Sequence, residues 1–138
     1  MAESASAKSV AQLLLEAARQ DQAACILLAS AAGIGDGVVG FHAQQAVEKS
    51  LKVVLSARGI EFRRTHDLVT LLDLLQDHGV DAPPGADWVD ELNPYAVEAR
   101  CGTIDPTGLD RARALLVVAQ IIQWALSQLA QFEPGRAA

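Results

Sequence analysis

Apolar positions in this chain recur every three to four residues, the spacing of amphipathic helices, and no stretch reads convincingly as a strand. Five helical segments follow. The first spans about Val10 to Ala32, with Leu14, Ala17, Ala24 and Leu28 at heptad-like spacing. The glycines of GIGDGVVG, residues 33–40, break the chain before a second helix from about Val38 to Arg58, which Gly59 is placed to end. Thr65 reads as the N-cap of a third helix, HDLVTLLDLLQDH, with Asp67 in its first turn favouring the helix dipole and Gly79 as the stop. Asn93-Pro94 has the form of an N-cap followed by proline at the first helical position and opens a short segment, PYAVEARC. Asp105-Pro106 repeats that signal and starts the last helix, which runs to about Phe132. Long helices and short connections predict an all-α fold, an up-and-down four- to five-helix antiparallel bundle.

Composition narrows the class. At 138 residues the chain fits one domain, residues 1–138 with a core from about 10 to 132. Apolar residues reach 51% with only 4% aromatic, a balance that suits packed helices. A net charge of −6 argues against broad nucleic-acid coating but leaves room for a small basic site. Cys25 and Cys101 form no metal-binding spacing and read as buried small hydrophobes. Neither metal nor cofactor is expected.

The N-terminal stretch MAESASAKSVAQ lacks the apolar core of a signal peptide, so a cytoplasmic protein is expected. Residues 114–132 carry no charge over 19 positions, as a membrane span would. Gln120, Gln123, Ser127, Gln128 and Gln131 nevertheless fall within roughly 140° of one another at about 100° per residue. That polar stripe predicts an amphipathic core helix and no membrane association.

The candidate chemistry sits on the second helix. With His42 at the origin of a helical wheel, Gln45, Lys49, Lys52 and Ser56 lie within roughly 80° on one side, with Glu48 at the edge. Ala43, Ala46, Val47, Leu51, Val54 and Ala57 lie opposite and supply the core. One reading of this face is a solvated helix surface carrying a Glu48–Lys52 ion pair of i,i+4 spacing. The other is an anion site, with Lys49 and Lys52 as phosphate-binding cations and His42 and Gln45 as hydrogen-bond partners. Asp21 falls on the apolar stripe of the first helix, where a carboxylate needs a cationic partner or a functional reason. His66 reads as a helix-start residue or a ligand. Tyr95 and Arg100 read as stitching for the short fourth segment or as site residues. Trp88, Trp124 and Phe132 read as core or dimer contacts.

Several of these elements together resemble the HEPN domain family of prokaryotic proteins. They are His42-x-x-Gln45-x-x-Glu48-Lys49-x-x-Lys52, the following Gly59, Thr65-His66-Asp67-Leu68, and Tyr95…Glu98-Ala99-Arg100, in family order across about residues 10–130. The resemblance implies a four- to five-helix bundle that forms a homodimer and binds a nucleotide or RNA. It also implies a minimal nucleotidyltransferase as protein partner, and favours His42, Gln45, Glu48, Lys49, Lys52, Tyr95 and Arg100 as site residues; Asp21, singled out by its place on the apolar stripe, and His66 are secondary candidates.

One family branch comprises ribonucleases of toxin–antitoxin systems, whose motif is an arginine, four to six residues, then a histidine. A histidine there serves as general acid or base while the arginine stabilises the charged transition state. This chain has three histidines, His42, His66 and His78, and none follows an arginine at that distance. Arg58 and His66 have seven residues between them, and Arg63 and Arg64 are too close to His66. Arg100, Arg111 and Arg113 have no histidine after them. The expectation is therefore a non-catalytic phosphate-binding protein. The alternatives are a ribonuclease toxin with an atypical site and a structural, antitoxin-like interaction module.

Overall fold

The computed structural model describes residues 8–96 and 108–132. The described residues form an all-α bundle: α1 (Val10–Ala29), α2 (Asp36–Ala57), α3 (Leu68–Asp77), a 3₁₀ helix (Ala86–Tyr95) and α4 (Arg111–Phe132). The central helix is α2, which packs on α1, α3, α4 and the 3₁₀ helix. Its buried set (among others Val39, Ala43, Val47, Leu51, Val54 and Leu55) covers more than one face, as a helix surrounded by neighbours requires. The core is aliphatic, with Leu51, Leu55, Leu68, Leu71, Leu75, Leu92 and Ile121 the largest fully enclosed hydrophobic side chains.

Helix ends follow local chemistry. Ser9 caps α1 through its hydroxyl, which accepts from Gln12 N, while the Gln12 side chain accepts from Ser9 N. The helix stops at Ala29, three residues before the expected end. After α2, Gly59 takes a φ of +71°, and Ile60 N donates back to Leu55 O at 2.9 Å. A side chain at that φ is strained, and the six-to-one hydrogen bond satisfies a carbonyl the helix leaves open.

The cap of α3 is Asp67, not Thr65. The Asp67 carboxylate accepts from Val69 N, while Thr65 Oγ1 accepts from Asp67 N one step earlier. Asn93 also differs from expectation. It lies inside the 3₁₀ helix, where its Oδ1 accepts from Leu68 N and its amide donates to Asp67 and Asp90. The side chain thus joins the 3₁₀ helix to the start of α3. Asp105-Pro106 and Cys101 lie outside the described residues.

Among the described residues, α4 is the one helix long and apolar enough to cross a membrane, at 22 residues. Its Ala114, Val117, Val118, Ile121, Ile122, Ala125 and Leu129 are turned into the bundle, and Gln120, Gln123 and Gln131 outward. Both ends of α4 are held. At the start, Arg111 donates to Asp36 Oδ1 (2.8 Å), Ala29 O (2.8 Å) and Ile34 O (2.7 Å). At the end, the Arg58 guanidinium lies 4.3 Å from the centre of the Phe132 ring, a cation–π contact.

Candidate functional site

The polar residues of α2 divide into two carboxylate-centred clusters. In the first, Asp21 reaches from α1 and is 8% exposed. Its Oδ1 lies 3.0 Å from His42 Nδ1 and its Oδ2 accepts from Lys49 Nζ at 2.6 Å. A carboxylate on the apolar side of α1 thus meets two basic groups one helix away, the partnering that burial demands. With Nδ1 turned to Asp21, the other imidazole nitrogen, Nε2, is the one free to meet a ligand.

The second cluster is built on Glu48, which is 4% exposed and therefore not at the edge of a solvated face. Its Oε2 accepts from Lys52 Nζ at 2.9 Å, and its Oε1 lies 3.0 Å from His66 Nδ1 and accepts from Gln44 Nε2 at 3.1 Å. Burial pushes the Glu48 carboxyl up, but hydrogen bonds from Lys52, Gln44 and His66 together outweigh it and hold the group below the ordinary glutamate range. The Glu48–Lys52 pair expected as a surface contact is thus a largely enclosed one, its lysine side chain only 14% exposed.

Gln44, fully buried, escapes a reading based on polar clustering because it lies on the apolar side of the wheel. Its Nε2 also donates to His66 O at 2.9 Å, and its Oε1 accepts from Gln45 Nε2 at 2.7 Å. A glutamine flanked by Ala43, Ala46 and Val47 is the signal that identifies it. His66 is thereby held at both its ring and its backbone, with the side chain still 53% exposed.

Tyr95 is buried against Gly40, where an added Cβ would sit 2.3 Å from Tyr95 Cδ1. Only a glycine admits the ring at that point of α2. Burial, then the nearby charges of Asp36 and Glu91, push the Tyr95 hydroxyl above its ordinary range, so it stays protonated. Tyr95 therefore lies on α2 near Asp36, at the N-terminal end of that helix. Arg100 lies outside the described residues. Cys25 is fully buried, and burial followed by the Asp21 charge pushes its thiol up to about 11, which makes it a poor nucleophile. Among the described residues, no three His, Cys, Asp or Glu side chains converge as a metal site would require.

The outward groups are therefore His66, His42, Gln45, Lys49 and, partly, Lys52, each oriented by a hydrogen bond. Asp21 and Glu48 lie behind them. The two carboxylates balance the two ammonium groups, so the clusters gain net positive charge only when a histidine is protonated. No curated protein and no solved structure matches this chain. A model of the HEPN domain matches residues 11–129, nearly all of it. The chain belongs to the HEPN domain family.

Proposed function

We propose that this protein is a non-catalytic phosphate-recognition module that binds a nucleotide or an RNA phosphate on the His42–Lys52 face of α2. It would do so as a homodimer, alongside a minimal nucleotidyltransferase partner. The observation that carries the reading is the way buried carboxylates hold the outward donors. Asp21 positions His42 and Lys49, and Glu48 positions Lys52 and His66. Lysine has three N–H donors; Lys49 spends one on Asp21 and keeps the others for ligand oxygens, while the more enclosed Lys52, 14% exposed, contributes less. The Gln45 side chain and His42 Nε2 complete a row of short-range hydrogen-bonding groups. Because the lysine charges are matched, affinity rests on this geometry more than on long-range attraction. Val10, Leu13 and Leu27, exposed on one stripe of α1, support a second copy as partner.

Titrating isotope-labelled protein with ATP and then a short RNA, followed by amide shifts, tests the site. Saturable shifts confined to residues 42–52 and their neighbours are expected, with at least tenfold weaker binding in a Lys49→Gln, Lys52→Gln variant. No shifts at millimolar ligand would remove the reading. A second reading, a protein-interaction module of antitoxin type, is favoured by the same charge matching and by the net charge of −6. It predicts a stable heterocomplex and no small-molecule affinity. The ribonuclease alternative lacks its arginine–histidine spacing and predicts RNA fragmentation that His42→Ala abolishes.

A further inference from the structure

A cleft of about 660 Å³ lies between the segment leading into α3 and α3 itself. Phe62, Leu71 and Leu74 supply its apolar lining, and Glu61, Asp73 and Asp77 its carboxylates. Among the described lining residues Arg63 is the sole cation, so their summed charge is negative. Asp73 and Asp77 are one helical turn apart, which places their Cβ atoms about 5–6 Å from each other.

These carboxylates differ from those of the α2 clusters. Asp21, Asp36, Glu48 and Asp67 all bond to a cation, an amide or a backbone N–H, whereas Glu61, Asp73 and Asp77 make no hydrogen bond or ion pair with a described residue. The cleft therefore presents unpaired, solvent-facing negative charge beside the partly exposed side chains of Phe62 and Leu74. An anion such as a nucleotide is repelled there, so this surface is separate from the proposed phosphate site. One side chain is shared: the Phe62 ring, which lines the cleft, lies 5.7 Å from Lys52 Nζ.

We propose that the cleft is a docking surface for a basic, partly apolar peptide segment of a protein partner. An apolar side chain seats on Phe62 and Leu74, above the buried Leu71, and an arginine or lysine beside it meets Asp73 and Asp77. Alternate side chains of an extended segment are roughly 6.5–7 Å apart along the chain, close to one turn of α3. A single arginine fork can also bridge to a carboxylate through two N–H donors. Charge complementarity selects the basic segment over an acidic or neutral one, and the apolar floor gives it a preference over a free inorganic cation.

The test uses the full chain, isotope-labelled, and two synthetic heptapeptides, Leu-Leu-Arg-Arg-Leu-Leu-Arg and the same sequence with glutamate for arginine, so that each face of the extended segment carries both leucine and the charged residue. The arginine peptide should produce saturable amide shifts centred on residues 61–77, with no response to the glutamate peptide. Asp73→Lys combined with Asp77→Lys, both at exposed positions, should weaken that binding at least tenfold while leaving the remaining spectrum in place. No saturable shifts at millimolar peptide would overturn the proposal, as would binding unchanged by the double substitution. Peptide-free shifts at 61–77 that grow with protein concentration would also overturn it, by assigning the cleft to a second copy. Adding ATP to the same samples reports on residues 42–52 separately, so either site can fail without the other.

Discussion

Replacing Glu48 by glutamine preserves shape and removes one buried charge from a network of five side chains, Gln44, Gln45, Glu48, Lys52 and His66. Oε1 can still accept from Gln44 and pair with His66 Nδ1, but the second position now carries an amide opposite Lys52 Nζ. A hydrogen bond to a charged group contributes roughly 1.5–3 kcal/mol. The Lys52 side chain is 14% exposed, so its ammonium regains little water when the carboxylate is lost. His66, 53% exposed, rehydrates readily, and its share is small. The expected loss is thus about 2–4 kcal/mol, a large part of the ~5–15 kcal/mol that holds a domain of this size.

Urea unfolding at neutral pH, followed by the fluorescence of Trp88 and Trp124, measures it directly. The midpoint should fall by roughly 1–2 M with the slope unchanged. Acid supplies the second test. Because the folded Glu48 carboxyl lies below its ordinary value, the stability it contributes is fully present above about pH 4.3 and is lost as pH falls through the lower folded value. The gap between wild type and Glu48→Gln should therefore narrow on acidification. A loss below about 1 kcal/mol at neutral pH, the worth of an exposed ion pair, would refute the enclosed network. So would a gap that stays constant from neutral pH into strong acid.

Three further outcomes follow from the packing. Gly40→Ala gains about 1 kcal/mol of helix propensity but forces the buried Tyr95 ring aside, so a net loss of about 1–2 kcal/mol is expected by thermal or urea unfolding. Arg111→Met removes donors to two carbonyls and to Asp36, and should cost about 2–3 kcal/mol, with faster amide exchange at the first turn of α4. Cys25, enclosed and with its thiol pushed up to about 11, should resist iodoacetamide at pH 8 in the native protein and react promptly in urea.

Periodicity made the helices legible, since an apolar face at 3.6-residue spacing follows from packing alone. The polar face of α2 was legible for the same reason. A wheel reports angle and not neighbours, however, so it set Glu48 at the edge of a wet surface when the segment ahead of α3 in fact covers it. Asp21 was detectable because a carboxylate on an apolar stripe requires a partner, though the stripe could not say that His42 and Lys49 share it. Thr65 and Asp67 are both good caps two residues apart. Which one caps depends on where helical hydrogen bonding starts, and Asn93, 25 positions away from Leu68, fixes that point. Arg111 and Asp36 are 75 positions apart, and neither one's local pattern points to the other.

That last distance has a consequence for the chain as it is made. The turn between α1 and α2 leaves the carbonyls of Ala29 and Ile34 and the carboxylate of Asp36 for Arg111 to satisfy. At about 5–20 residues per second, a ribosome adds the 75 residues from Asp36 to Arg111 in roughly 4–15 s. For that interval the first helical hairpin can form only with this end untied and its apolar side uncovered by α4. The emerging chain is then most open to chaperones and to mispairing; the Arg111 guanidinium closes the turn, and the rest of α4, made after it, covers the apolar side.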